Sequence, residues 1–207
     1  MCSIALLSEK DRAMKTLLLG HFFLIICCIF YLLWWKAGFY PGVNVNRLTG
    51  KVGLLFYVTA IFGGLGIYET LTGITLIPSD NDQIKAGSVI LAGILTYIIL
   101  IIVSTCLFHR QVTTELALII GWTVLEAVSI NRAYSAGNLT FIGLIFLWAC
   151  VILFAFISFI LYMVYYLVAP MTGFVLGTIP IMLAALNMLQ YIVICLLTNQ
   201  SQIPGSA

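Results

Sequence analysis

The side chains best suited to chemistry in this sequence are two glutamates and two amides that lie in otherwise apolar stretches. Glu69 lies in FGGLGIYETLTG and Glu126 in GWTVLEAVSINRA, whereas Asn187 and Gln190 lie in LAALNMLQYIV. A carboxylate in such surroundings needs a hydrogen-bond partner, a cation or a bound proton, because burial penalises its charged form. These residue types therefore indicate the binding of a proton, an ion or a small polar solute.

We hypothesise that the two glutamates line one shared polar site, to which the two amides contribute hydrogen bonds, and that one tyrosine and one tryptophan shape its wall. The predicted site residues are Glu69, Glu126, Asn187, Gln190, Tyr68 and Trp122. The competing interpretation is ordinary helix packing, since amides that bridge membrane helices contribute only about 0.6 kcal/mol each. Glu69 would also lie near the interface if its helix ends before Pro78.

The sequence contains no pattern typical of a catalytic centre or a metal site. His21 and His109 fall near opposite ends of predicted membrane helices, so roughly 20–30 Å would separate them and they cannot share one haem or metal. There is no H-E-x-x-H, Walker or G-x-S-x-G motif, and the six cysteines lack zinc-type spacing. We therefore predict no catalytic residue, no metal and no cofactor, and we interpret His21 as a packing residue.

The composition explains why these polar residues stand out. The 207 residues are 63% hydrophobic and only 8% charged, with a mean hydropathy of +1.17. A soluble domain is about 25% charged, so this chain has too little polar sequence to cover a surface in water. A bilayer supplies the apolar solvent that it needs. The net charge of +2, with no basic run, excludes nucleic acid as a predicted partner.

Six apolar stretches approach or exceed the roughly 20 residues that cross a hydrocarbon core. They cover residues 15–35, 52–78, 86–108, 114–133, 139–168 and 172–197, and the fourth is the least hydrophobic. Each must be helical, because lipid offers no partner to an exposed N–H or C=O group. We therefore predict an all-α, polytopic integral membrane protein: one transmembrane domain over residues 1–207, with six helices in three hairpins. Pro180 is expected to bend the sixth helix.

Six crossings place both termini on one side of the membrane. Lys and Arg are divided five against four between the two predicted faces, and the cluster Lys10, Arg12 and Lys15 favours a cytoplasmic N-terminus in the cell (inner) membrane. The first segment resembles a signal peptide at its charged start. Its apolar run is too long for one, and no small-residue cleavage site follows, so we predict a retained helix.

These features predict a small-solute or ion transporter or channel, with the polar site between the second, fourth and sixth helices. One alternative is an accessory subunit of a larger membrane complex, which the short loops and low charge would suit. The other is an intramembrane enzyme acting on a lipid or isoprenoid, with Glu69 or Glu126 as general acid. The predicted partners are the bilayer and either a second copy or other membrane subunits.

Overall fold

The computed structural model describes residues 2–77, 114–165 and 174–201, together with six helical positions between residues 91 and 106. Five helices run through the three ranges: α1 (Cys2–Phe39), α2 (Gly50–Leu76), α3 (Thr114–Ser135), α4 (Phe141–Tyr165) and α5 (Ile179–Ser201). No strand occurs in this described part, which confirms the all-α prediction there. Most of the predicted segment 86–108 and the predicted turn 109–113 lie outside the described residues, so the count of six helices stays a prediction.

Four stretches of the described chain are helical, long and apolar enough to cross a membrane. They are Lys10–Phe39, Gly50–Leu76, Phe141–Val164 and Phe174–Asn199. Together they indicate a helical membrane protein. The exception is α3, whose apolar run is interrupted by Glu126, Asn131 and Arg132. Its inner face is nevertheless completely buried at Glu126, Ser129 and Ile130.

α1 and α2 form a close antiparallel hairpin. A Cβ atom added at Gly73 would lie 2.7 Å from the backbone nitrogen of Leu17, and one added at Gly66 would lie 2.7 Å from Cγ of Leu24. Gly20 lies against Thr70 and Gly38 against Val52 in the same register. In all four pairs, a higher residue number on α1 goes with a lower one on α2, as in antiparallel helices. The contacts at residues 17, 20 and 24 of α1 are three or four residues apart, the spacing by which two helices keep one seam in contact. The small residues therefore fix the distance between the helices.

The connection between α1 and α2, residues 40–49, is fastened to the end of α1 by Arg47. The Arg47 Nε–H group donates to the carbonyl of Gly38 at 3.0 Å, and the guanidinium carbon lies 4.0 Å from the centre of the Phe39 ring. The Trp34 indole N–H group donates to the Arg47 carbonyl at 3.0 Å. Tryptophan beside a cation is typical of a membrane interface.

α3 and α4 meet at a tight turn that satisfies the polar groups of both helix ends. The N–H group of Asn138 donates to the Ala133 carbonyl at 3.0 Å, while Gly137 adopts a φ of 71°. This is the usual glycine-terminated end of a helix. Thr140 then caps α4, because its hydroxyl oxygen accepts from the N–H group of Gly143 at 3.1 Å.

The remaining helix, α5, lies against α1, α3 and α4. At one end of the bundle, Ala13 of α1 shares a core cluster with Ala136 and Leu139 of the α3–α4 turn. At the other end, Ile119 near the start of α3 packs with Tyr162 near the end of α4. Because Leu24 of α1 also packs in one cluster with Trp122 of α3, α1 is antiparallel to α3.

Substitution of Gly73 by alanine tests the close approach of α1 and α2. The added methyl group would meet the Leu17 backbone, which cannot rotate away, so we expect Gly73→Ala to destabilise the protein by about 1–3 kcal/mol, the usual cost of overpacking. Gly64→Ala is the matched control, since an added Cβ there meets nothing within 4 Å. Thermal unfolding in mild detergent measures both. Equal melting temperatures for the two variants would contradict this packing.

Candidate functional site

Three polar side chains from three helices meet in the middle of the bundle. His21 of α1, Glu126 of α3 and Asn187 of α5 are all fully buried. The His21 Nε2 atom lies 3.4 Å from the Glu126 Oε1 atom. The Asn187 side-chain N–H group donates to Glu126 Oε2 at 3.3 Å. Glu126 is therefore the centre of the cluster, with a partner at each of its two oxygens.

The antiparallel arrangement of α1 and α3 brings His21 and Glu126 to similar depths. His21 lies six residues after Lys15, and Glu126 lies nine residues before Ser135 at the end of α3. At about 1.5 Å per residue, His21 is about 9 Å from Lys15 along α1, and Glu126 is about 14 Å from Ser135 along α3. Lys15 and Ser135 lie toward the same end of the bundle. α5 runs past both helices and supplies Asn187 between them.

The hydrogen bond of His21 to its own helix determines where the imidazole carries its first proton. Nδ1 of His21 lies 2.8 Å from the backbone carbonyl oxygen of Leu17. A carbonyl oxygen only accepts, so Nδ1 must be the protonated nitrogen. In a neutral ring, Nε2 then presents a lone pair to Glu126. The side of the imidazole that faces the carboxyl group is thus an acceptor unless a second proton is present.

A favourable contact between His21 and Glu126 therefore needs one proton on either of the two facing atoms. The proton lies on Nε2, giving an imidazolium beside a carboxylate, or on Oε1, giving a carboxylic acid beside a neutral imidazole. Without it, two acceptors would face each other at 3.4 Å and the carboxylate would be buried without a donor on that oxygen. A carboxylate at membrane depth costs about 2.5–3.5 kcal/mol on insertion scales. The pair is thus a candidate site for one proton.

Tyr191 of α5 holds the imidazole ring in place. Its ring stacks on His21 with centroids 4.3 Å apart and planes 25° apart. Its hydroxyl group donates to the backbone carbonyl of Ser129 at 3.3 Å, and Tyr191 is fully buried. Because one end of Tyr191 is tied to α3, the ring cannot move away from His21 without breaking that hydrogen bond. Tyr191 therefore couples α1, α3 and α5 at the site.

Several buried polar atoms around the cluster retain hydrogen-bonding capacity. The Ser129 hydroxyl oxygen, the Asn187 amide oxygen and the Trp122 indole nitrogen have no hydrogen-bond partner among the residues that the structure describes. The same is true of Nε2 of His21 and Oε1 of Glu126, whose contact is at ion-pair distance but outside hydrogen-bond geometry. Buried polar atoms in proteins are nearly always bonded, so this concentration indicates a place where protons or a small polar molecule bind.

The structure brings only some of the predicted site residues together. Glu126 and Asn187 are in direct contact, and Trp122 lies one turn before Glu126 on α3, where it is buried. Gln190 follows Asn187 by one turn and is half-buried. The polar cluster lies between α1, α3 and α5. The sequence predicts a contribution from the second helix, whereas in the structure α1 contributes instead.

The two predicted residues on α2 lie apart from this cluster. Tyr68 is 66% exposed on the outer surface of α2. Glu69 is half-buried, and it forms no ion pair or hydrogen bond with the residues that the structure describes. A functional role for Glu69 stays a prediction, and the arrangement of the described residues gives it no contact with Glu126.

His21 is the residue that sequence reasoning placed outside the site. It was interpreted as a packing residue, because a single histidine in an apolar helix has no visible partner in the sequence. Its predicted depth in the membrane could have identified it as a partner of Glu126. In the predicted three-hairpin arrangement, His21 and Glu126 already fall at similar distances from one membrane face. Which helix faces which was not readable from the sequence, so the pairing was missed.

Comparisons with protein families, with curated proteins and with solved structures found no match. Within the described residues, no three His, Cys, Asp or Glu side chains gather in a way that could hold a metal ion. The polar groups available for chemistry at the candidate site are those of His21, Glu126 and Asn187.

A double-mutant cycle tests whether His21 and Glu126 form a coupled pair. His21→Phe keeps a ring to stack on Tyr191 but leaves Glu126 without its partner, so we expect a loss of about 3–5 kcal/mol, as for a broken buried ion pair. In His21→Phe/Glu126→Leu no unpaired carboxylate remains, so the double variant should be more stable than the sum of the two single losses predicts. The free energy of unfolding in detergent mixtures measures each variant.

The matched control for this cycle pairs His21→Phe with Asn131→Leu. Asn131 lies on the same helix as Glu126, but its amide group donates to the Ala127 carbonyl within α3. We expect these two losses to add within about 0.3–0.5 kcal/mol. Additive losses for the His21 and Glu126 variants as well would show that the two side chains are not coupled.

Proposed function

We propose that this protein is a small transporter or channel that moves protons, alone or coupled to a solute, and that the His21–Glu126 pair is its proton-binding site. The observation that carries the proposal is the hydrogen bond from His21 Nδ1 to the Leu17 carbonyl. It leaves Nε2 facing Glu126 Oε1 at 3.4 Å, an arrangement that needs one exchangeable proton. Ionisable groups inside a membrane span commonly mark ion pathways and proton relays.

Enclosure of the pair favours a proton over a larger ligand at this position. His21, Glu126 and Asn187 are fully buried, and Tyr191 covers one face of the imidazole ring. A proton needs no extra volume there, whereas a metal ion or an organic solute would have to push the helices apart. Asn187 donates to the second carboxyl oxygen, so it stabilises Glu126 whether or not Oε1 carries the proton.

We propose the six-helix topology together with this function. α2 ends at the face where α1 begins, since Ile77 and Ala13 share a core cluster, while Ile119 of α3 lies at the opposite end. These positions support one further crossing by the chain between α2 and α3. The basic residues before α1 support cytoplasmic termini in the cell membrane. The accessory-subunit and enzyme alternatives stay predictions.

Proton flux into vesicles tests the function directly. The purified protein is reconstituted into liposomes that contain a pH-sensitive dye, and a potassium gradient with valinomycin makes the lumen negative. We expect the lumen to acidify faster than in protein-free liposomes. Glu126→Gln should reduce the rate to that of protein-free liposomes, because an amide cannot exchange the shared proton with His21.

Asp11→Asn is the matched control, because it makes the same change of carboxylate to amide at an exposed position of α1, and it should keep wild-type flux. Glu69→Gln decides the sequence prediction for that residue: loss of flux would support its place on the pathway, and wild-type flux would remove it. Wild-type flux in a correctly folded Glu126→Gln variant would refute the proposed site.

A further inference from the structure

Buried apolar residues separate the His21–Glu126 pair from both membrane faces. Toward the face where α1 begins lies a core cluster with fourteen buried residues, several of them completely inaccessible. Toward the face that carries residues 40–49 lies a cluster with only four: Leu24, Trp122, Ala184 and Met188. We call these four residues the thin layer. On the side of residues 40–49, these four buried side chains form the cluster directly beyond the pair.

A small cavity lies beyond the thin layer. It has a volume of about 30 Å³, which exceeds the roughly 10–15 Å³ needed to hold one water molecule. Four helical stretches contribute to its wall, among them Tyr31, Ile119, Tyr162, Gly177, Pro180 and Ile181. Ile119 precedes Glu126 by seven residues, so the cavity lies about 10 Å from the pair along α3. It also reaches Trp35, close to the end of α1.

The backbone beside this cavity is irregular. Residues 174–176 form a helical turn, Gly177 and Thr178 form a break, and α5 begins at Ile179. Pro180 has no N–H group, so the Leu176 carbonyl loses the donor that a continuous helix would supply. Non-helical backbone at membrane depth is tolerated where it lines a cavity or is covered by protein. The break therefore places the Leu176 backbone carbonyl beside a cavity whose wall is otherwise mostly apolar.

Trp122 lies between the cavity and the proton pair. It belongs to the thin layer, is 9% exposed, and precedes Glu126 by one helical turn. Its indole nitrogen has no hydrogen-bond partner in the described part of the chain, although a buried indole N–H group usually has one. A water molecule or the Glu126 carboxyl group reached by a rotation of either side chain would supply the missing acceptor. The position suits a side chain that controls contact between the two.

We propose that the His21–Glu126 pair exchanges its proton with the membrane face that carries residues 40–49, by way of this cavity, and that Trp122 is the gate. The inference rests on the proposed function and adds its route. When Trp122 moves aside, a water molecule from the cavity reaches Glu126 and accepts the proton of the pair as hydronium, leaving a carboxylate and a neutral imidazole. Reversal of the step restores the pair. Trp122 limits how often water reaches Glu126.

The vesicle assay tests the route with two substitutions of opposite effect. Trp122→Ala opens the thin layer and should raise proton flux several-fold. Ile181→Phe fills the cavity and should lower proton flux several-fold. One matched control is Trp148→Ala, at a partly buried tryptophan packed against the cluster of fourteen buried residues. The other is Ile142→Phe, at a residue exposed on the outer surface of α4. Both controls should keep wild-type flux.

A double variant separates passage through the pair from a simple leak. Flux in Trp122→Ala/Glu126→Gln should fall to the level of protein-free liposomes, because the opened route still leads through Glu126. Persistent flux in the double variant would overturn the gate. If Trp122→Ala does not fold, Ile181→Phe alone decides, and wild-type flux in that variant would overturn the route.

The outcomes also separate this inference from the proposed function. Wild-type protein without flux above protein-free liposomes would refute both. Flux that depends on Glu126 but is unchanged by both Trp122→Ala and Ile181→Phe would keep the proton site and refute the route through the cavity.

Discussion

The burial of the Glu126 carboxyl group is the constraint on which the rest of the bundle depends. A carboxyl group at this depth must be supplied with donors or with a proton, because lipid and apolar side chains provide neither. His21 and Asn187 meet that need from two other helices. α1, α3 and α5 are therefore held at one set of distances and rotations, and a shift of any one of them would leave a polar group unpaired in the membrane interior.

The α1–α2 hairpin supports this arrangement from outside. Gly66 and Gly73 let α2 approach α1 closely at Leu24 and Leu17, and the Leu17 carbonyl is the group that orients His21. One turn of α1 therefore both packs closely against α2 and orients the His21 ring. Since packing in membranes relies on close contact rather than on a hydrophobic driving force, the hairpin keeps the imidazole in place without a polar contact of its own.

The sequence by itself indicated a membrane environment for this protein and the residue types of its candidate site. Apolar stretches of about 20 residues require helices in lipid, and the described chain is helical with four stretches able to cross a membrane. Glu126 and Asn187 were recognisable because polar side chains in apolar stretches need partners. The bounds of α1 were less predictable. The apolar run covers residues 15–35, whereas the helix spans Cys2–Phe39, because helical hydrogen bonds continue outside the apolar region.

The tertiary structure decided which polar residues meet. The sequence favoured Glu69 over His21 as a site residue, yet His21 faces Glu126 at 3.4 Å, while Glu69 forms no hydrogen bond or ion pair in the described part of the chain. The rotation of each helix about its own axis makes the difference, and several apolar faces of α1 and α2 could have packed equally well by composition. Residue type determines that a buried carboxylate needs a partner, whereas the choice of partner depends on the packing of whole helices, to which each residue contributes only a small part.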